Sequence, residues 1–135
     1  MIQIRIYGQP VAQSRPRVAL RGRYPHVYED SKVKEYKKDV RRQIELNTRH
    51  IHPLPIDIPV VIWLEFYLSR PKTLKKTVKH HVKKPDIDNL AKAILDSMDL
   101  LITDDNLVTW LHAGKYYADE DNPPGVIIKL YPVED

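Results

Sequence analysis

The residues best equipped for chemistry stand together at Pro85-Asp86-Ile87-Asp88-Asn89-Leu90-Ala91-Lys92, and a second acidic pair follows at Asp104-Asp105. Carboxylates are hard oxygen ligands, and Mg²⁺ is usually held by one or two of them together with waters and a substrate phosphate. Asp86, Asp88 and Asp105 would supply such ligands. A cation held there would polarise a phosphoryl oxygen and help to form hydroxide. Lys92, one helical turn beyond Asp88, would stabilise charge that develops on the phosphate or the leaving group. Asn89 would orient a ligand or cap the helix. The reaction these groups suit is hydrolysis of a phosphodiester.

The elements that must position them can be read from the spacing. Ile87, Leu90, Ala91, Ile94, Met98 and Leu101 recur at helical intervals and form one buried face, so a helix is expected over about 86–99. Asp88, Lys92 and Asp96 then fall at i, i+4 and i+8 on the opposite, outward face. Pro85 suits the start of a helix, and Asp86 or Asp88 can serve as its N-cap. A plainer reading explains the same residues as caps and surface ion pairs, with Asp88 and Lys92 contributing about 0.3–0.5 kcal/mol. Asp96 lies two turns from Asp88, too far along to share a ligand set with it, and is expected to pair with Lys92.

Charge distribution favours the chemical reading. The chain has 135 residues and a net charge of +4, but the charge is split. Residues 1–84 hold 19 Lys/Arg against 7 Asp/Glu, a balance of +12, whereas residues 85–135 hold 3 against 11, a balance of −8. One part can neutralise phosphates and the other can hold divalent cations. Seven of the basic residues (Arg70, Lys72, Lys75, Lys76, Lys79, Lys83, Lys84) crowd the stretch that runs directly into the aspartate motif. That stretch reads as a phosphate-tracking loop. His80 and His81, adjacent to each other, are poor metal ligands and at most minor phosphate contacts.

The remainder reads as a single α+β domain over residues 1–135, with about four strands in a small mixed sheet and two main helices, in the order β, loop, α, β, α, β, β. Ile2, Ile4 and Ile6 alternate with polar residues as a half-buried strand. Residues 9–30 are read as a long loop, in which Arg15, Arg17, Arg21 and Arg23 interleave with aromatics and suit contact with nucleic acid. Asp30 or Ser31 opens a helix over about 31–48, with Val33, Tyr36, Val40 and Ile44 as its apolar stripe. Pro53, Pro55 and Pro59 mark a connecting segment. Val60–Leu68 is almost continuously apolar and reads as a central strand buried on both faces. Leu107–Tyr117, with a bulge at Gly114, and Val126–Tyr131 are the last strands, expected to pair as a hairpin across the acidic turn 119–125.

Other function classes are excluded. No cysteine is present, so disulfides and cysteine-held zinc are ruled out, and a reducing compartment fits. No apolar run is long enough to span a bilayer and no secretory leader pattern opens the chain, so a soluble cytoplasmic protein is expected. An EF-hand starting at Asp86 would need Gly at Ala91 and Glu at Ser97. Neither a phosphate-binding P-loop nor a nucleophile elbow occurs.

The run Pro85-Asp86-Ile87-Asp88-Asn89-Leu90-Ala91-Lys92-Ala93, with Asp96 and Asp104-Asp105 after it, resembles the RusA family of Holliday junction resolvases. The segments Gly8-Gln9-Pro10, Arg15-Pro16-Arg17 and Tyr28 to Tyr36 resemble it as well, so the likeness covers nearly the whole chain. It implies a homodimeric, Mg²⁺-dependent endonuclease, with Mn²⁺ able to substitute, that nicks four-way DNA junctions symmetrically and needs no organic cofactor and no membrane. It implies Asp86, Asp88 and Asp105 as catalytic metal ligands and Lys92 as the catalytic lysine, with Asp104 the alternative to Asp105. Arg15, Arg17, Lys75, Lys76, Lys79, Lys83 and Lys84 are the expected DNA contacts. A nucleoid-associated protein of phage or prophage type is implied. The alternatives are a metal-dependent nuclease for other branched or flapped nucleic acid and a DNA-binding module without catalysis.

Overall fold

The computed structural model describes residues 1–14, 17–22, 24–28 and 30–134. Eight regular elements follow in order: β1 (Ile2–Tyr7), β2 (Arg17–Arg21), β3 (Tyr24–Tyr28), α1 (Ser31–Thr48), β4 (Val60–Leu68), α2 (Ile87–Leu95), β5 (Val108–Tyr117) and β6 (Gly125–Pro132). A 3₁₀ turn at Asp105–Leu107 leads into β5. The main sheet has four strands in the order β1-β6-β4-β5, antiparallel except for the parallel pair β4–β5, and both long helices accompany it. The α+β class and the element order therefore agree with the sequence.

Several local expectations are corrected. The segment 9–30 is not all loop, because Arg17–Arg21 and Tyr24–Tyr28 pair antiparallel as a separate two-stranded sheet. Gly22, at φ +64, supplies the left-handed residue its turn requires. Strands β5 and β6 do not form a hairpin, since β4 lies between them and pairs with both. A parallel neighbour needs a long crossover, and the segment containing α2 provides it between β4 and β5. The chain then passes from β5 to β6 through a turn in which the Asp119 carboxylate accepts from the N–H groups of Asp121 and Asn122.

Strand β4 is central but covered on one face only. Val60, Ile62, Leu64, Phe66 and Leu68 are buried, while Trp63 is exposed and Val61, Glu65 and Tyr67 are half-buried. The run looks two-sided in sequence because Trp63 and Tyr67 are as apolar as the residues that enter the core. The bulge falls at Thr109, where the β4–β5 register shifts, and not at Gly114. A Cβ at Gly114 would stand only 2.7 Å from the Tyr116 hydroxyl, so packing accounts for that glycine.

The core gathers Ile4 and Ile6 from β1, Val40 and Ile44 from α1, the inward row of β4, Leu90 and Ile94 from α2, and Val126, Ile128 and Leu130 from β6. Each large aliphatic so buried contributes about 1.5–3 kcal/mol. Helix α1 starts where Asp30 accepts from the Lys32 N–H at 2.8 Å. Helix α2 ends at Leu95, four residues earlier than its pattern suggests. Bonds of the i→i+3 kind at Ser97 and Met98 tighten the chain, and the Ser97 hydroxyl donates to the Ala93 carbonyl. Met98 and Leu101 still reach the core, so the apolar periodicity outlasts the helix.

Gly125 is held where β6 passes β1, and an added Cβ would collide with the Ile6 carbonyl oxygen. Backbone cannot yield there as a flexible side chain could. Gly125→Ala should therefore destabilise the fold by about 1–3 kcal/mol, with a lowered urea midpoint and an unchanged m-value. A midpoint equal to that of the parent would show that the two strands separate without cost.

Candidate active site

Helix α2 presents its chemistry because its other face is fully occupied. Leu90, Ala91, Ala93 and Ile94 are buried, so Asp88 and Lys92 are carried outward and exposed. Asp86 holds the N-cap position in extended conformation, and its carbonyl accepts from the Leu90 N–H at 3.1 Å. Its carboxylate makes no capping hydrogen bond. The acidic oxygens at this helix start are thus not consumed by the helix itself.

Two neighbouring segments fix the entry to the motif. Lys115, on β5, donates to the carbonyls of Lys83 at 2.7 Å and Pro85 at 2.8 Å. The Gln13 N–H donates to the Asn89 carbonyl at 2.9 Å and ties the N-terminal segment to the first turn of α2. Lys115 is missed by sequence reasoning; its signal is a lone lysine in an otherwise apolar strand within the acidic part of the chain.

Asp105 begins the 3₁₀ turn that leads into β5. Its carboxyl is raised above the ordinary carboxylate range, first by partial burial, then by Asp96 and Asp104; Lys92 opposes the rise and Asp99 adds to it. The fold therefore brings Asp105 within electrostatic reach of Lys92 and Asp96. Asp104 is engaged differently, since its carboxylate accepts from the Asn106 N–H at 2.8 Å and caps the turn.

Asp96 does not pair with Lys92. It bonds Lys37 of α1 at 3.1 Å, and Lys37 is almost wholly buried. Arg41, one turn further along α1, donates to the Asp96 carbonyl at 2.8 Å and to the Asp99 carboxylate at 3.0 Å. Two cations of α1 therefore fasten the far end of α2. The sequence could not reveal this, because it links residues 59 apart. Lys92 is left exposed beside Asp105.

The donor set is oxygen throughout, which suits a hard divalent cation. Among the described residues, no three His, Cys, Asp or Glu side chains converge closely enough to hold a metal ion.

The basic stretch is ordered against β5. His80 bridges Tyr116, His81 N–H donates to the Lys115 carbonyl at 3.2 Å, and Tyr117 N–H donates to the Lys79 carbonyl at 2.8 Å. Arg70 is used internally, bonding the carbonyls of Ala118 and Lys75 and lying over the Tyr117 ring. His81 packs on Tyr117, and burial and then Lys115 lower its pKa, which weakens it as a phosphate contact. Lys75, Lys76, Lys79, Lys83 and Lys84 are all exposed. Lys76 and Lys79 share a cavity of about 780 Å³ with Asp119, Glu120 and Asp121, so the acidic turn lies nearer these lysines than its composition suggests. Arg15 lies outside the described residues, as does the side chain of Arg17, the first residue of β2.

Comparison with known proteins places the chain in a family. The family model described as endodeoxyribonuclease RusA matches residues 7–131. A Bacillus subtilis (strain 168) protein named uncharacterized protein YqaN is 32% identical over 130 residues, covering 88% of this chain and 89% of the relative. No helix among the described residues is long and apolar enough to cross a membrane.

The raised Asp105 carboxyl has a consequence for stability. A carboxyl whose folded pKa exceeds its unfolded one favours the protonated folded state, so its contribution worsens as pH rises from the unfolded value through the folded one. Asp105→Asn should therefore raise Tm at neutral pH. The gain should fade below about pH 4, where the unfolded carboxyl is itself protonated. Thermal unfolding of both proteins across that range checks the sign; a lower Tm for the variant at neutral pH would mean that Asp105 is held by attraction.

Proposed function

We propose, from the premise that the chain belongs to the RusA endodeoxyribonuclease family, that it resolves four-way DNA junctions as a homodimer, by paired symmetric nicks in a Mg²⁺-dependent reaction. The family's enzymes are hydrolases that resolve Holliday junctions, and they depend on metal ions. The observation that carries the reading for this chain is the outward row of α2, with Asp88 and Lys92 exposed and Asp105 within electrostatic reach of Lys92, directly after an exposed run of lysines.

Asp86, Asp88 and Asp105 would hold Mg²⁺, with Mn²⁺ able to take its place. Asp105 is favoured over Asp104, whose carboxylate is taken up by the Asn106 N–H. A divalent cation bound there supplies polarisation of the phosphoryl oxygen and a lowered pKa for water. Lys92 offers its ammonium to the charge that grows on the phosphate or leaving oxygen. Lys75, Lys76, Lys79, Lys83 and Lys84, with Arg15 and Arg17, neutralise backbone phosphates on the way to the carboxylates. A two-fold dimer presents two equivalent sites to a junction that is itself close to two-fold symmetric. The setting is the nucleoid of a bacterial cytoplasm, with the gene of phage or prophage origin, and repair and recombination as the processes served.

Cleavage of a labelled four-way junction with Mg²⁺, beside a flap and a linear duplex of matched sequence, tests this directly. Paired nicks at symmetric positions are expected on the junction alone. Asp88→Asn should keep junction affinity and lose cleavage by more than about 100-fold, as removal of a metal ligand demands. Equal cutting of the flap would widen the substrate class to branched DNA at large. Intact junction across Mg²⁺ and Mn²⁺ titrations, still tightly bound, would leave a binding module.

The lysines have their own readout. The triple substitution Lys75→Ala, Lys76→Ala, Lys79→Ala should weaken junction binding and flatten the plot of log K against log salt by up to ~0.9 for each phosphate no longer neutralised. An unchanged slope would remove this segment from the DNA path.

A further inference from the structure

Strand β5 is an outer strand of the four-stranded sheet, and its free edge is divided into two parts. The second part is covered by the backbone of residues 79–81, through the His80–Tyr116 bridge and the bonds to Lys115 and Tyr117. From Trp110 to Gly114, the described residues offer no backbone partner beyond β4. Open strand edges are normally protected by a charge, a proline or a bulge. The bulge lies just before this stretch, at Thr109, and Trp110-Leu111-His112-Ala113-Gly114 contains no Lys, Arg, Asp, Glu or Pro.

The sheet is also apolar on both faces beside this edge. On the face away from the core, Trp110 is 62% exposed and heads a stack of rings. Its ring lies 5.6 Å from that of His112 at 6°, and His112 lies 3.9 Å from Trp63 at 3°. Tyr131 stands on the same face, paired in register with Val61. Leu111 points to the opposite side of the strand and is 41% exposed.

We propose that Trp110–Gly114 is the surface through which two copies of this chain join, by antiparallel pairing of each β5 edge with the other. The inference deepens the homodimer proposed above and rests on it. A two-fold axis normal to a strand edge makes that edge antiparallel to its own copy, so every N–H and C=O left open meets the same groups running the other way. Homodimer interfaces are charge-depleted and aromatic at their centre, as this stretch is. The exposed parts of Trp110, Trp63, Leu111 and Tyr131 amount to on the order of 400 Å² per copy, about half of the ~800 Å² each partner buries in a standard interface. The strand edge and its flanks supply the remainder. DNA is the poorer occupant, because phosphate contacts need cations and this stretch has none, whereas the lysines cluster on the covered part.

Sedimentation equilibrium and mild oxidation test the surface in the full chain. The parent should sediment as a dimer, and Trp110→Glu with Leu111→Lys should sediment as a monomer with an unchanged far-ultraviolet spectrum. The chain lacks cysteine, so single Leu111→Cys, His112→Cys and Ala113→Cys variants report proximity without background, and small polar replacements at this exposed edge keep the test open if the charged variant unfolds. At least one of the three should form disulfide-linked dimers several-fold faster than Val82→Cys, an exposed position on the basic stretch. A dimer that survives the charged pair, with Val82→Cys linking as fast as all three, would overturn the surface alone. A dimer that survives while junction affinity falls would assign the edge to DNA instead. A parent that stays monomeric at every concentration would sink the homodimer itself, and junction cleavage by that monomer would still stand or fall separately.

Discussion

Burial of one face of α2 is the constraint on which the rest depends. Leu90 and Ile94 are fully withdrawn from solvent, with Met98 and Leu101 continuing the same face beyond the helix. Each is worth about 1.5–3 kcal/mol of burial, against about 0.3–0.5 kcal/mol for an exposed Asp–Lys pair one turn apart. The apolar face therefore decides how the helix is rotated, and the charged row has no choice but to face out. The proposed function is thus placed by residues that would carry none of it.

Rotation alone does not fix a helix of nine residues. Its start is held by Gln13 and by Lys115, and its end by Lys37 and Arg41. These contacts use backbone carbonyls and the Asp96 and Asp99 carboxylates, and none uses the side chains of Asp86, Asp88 or Lys92. The clamp and the chemistry are thus divided between different groups. This division also explains why Asp96 is separate from Lys92: a nearly buried ammonium must be paired, and Lys37 bonds the Asp96 carboxylate.

Much of this is legible in the sequence wherever the signal is local. The alternation in β1, the stripe of α1 with its Asp30 cap, and the outward placing of Asp88 and Lys92 all follow from spacing within a few residues. What escapes is pairing over distance. Val60–Leu68 announces a central strand, but nothing in it says that β5 will lie on one side and β6 on the other. Asp96 and Lys37 give no sign of each other for the same reason. The aromatic side chains mislead in a different way: Trp63 reads as core, yet it stands with Trp110 on the face that the helices leave open. The hairpin within 17–28 is hidden because Pro25 and alternating arginines weaken its strand pattern.

The division of charge between the two parts of the sequence acquires a spatial meaning through the chain itself. The lysine run is not a free tether that must find the carboxylates. Its backbone is bonded to β5 from Lys79 to His81, and Lys115 of the same strand holds the carbonyls of Lys83 and Pro85. Lys84 is two residues from Asp86, and two residues span at most about 7 Å. The backbone that carries Lys84 is therefore already beside the acidic helix start. Attraction of the polyanion and its approach to acidic groups would oppose each other if the two lay on unrelated surfaces. Joined through one strand, the cations would neutralise a nucleic-acid backbone at the point where the proposed reaction brings it closest to negative charge.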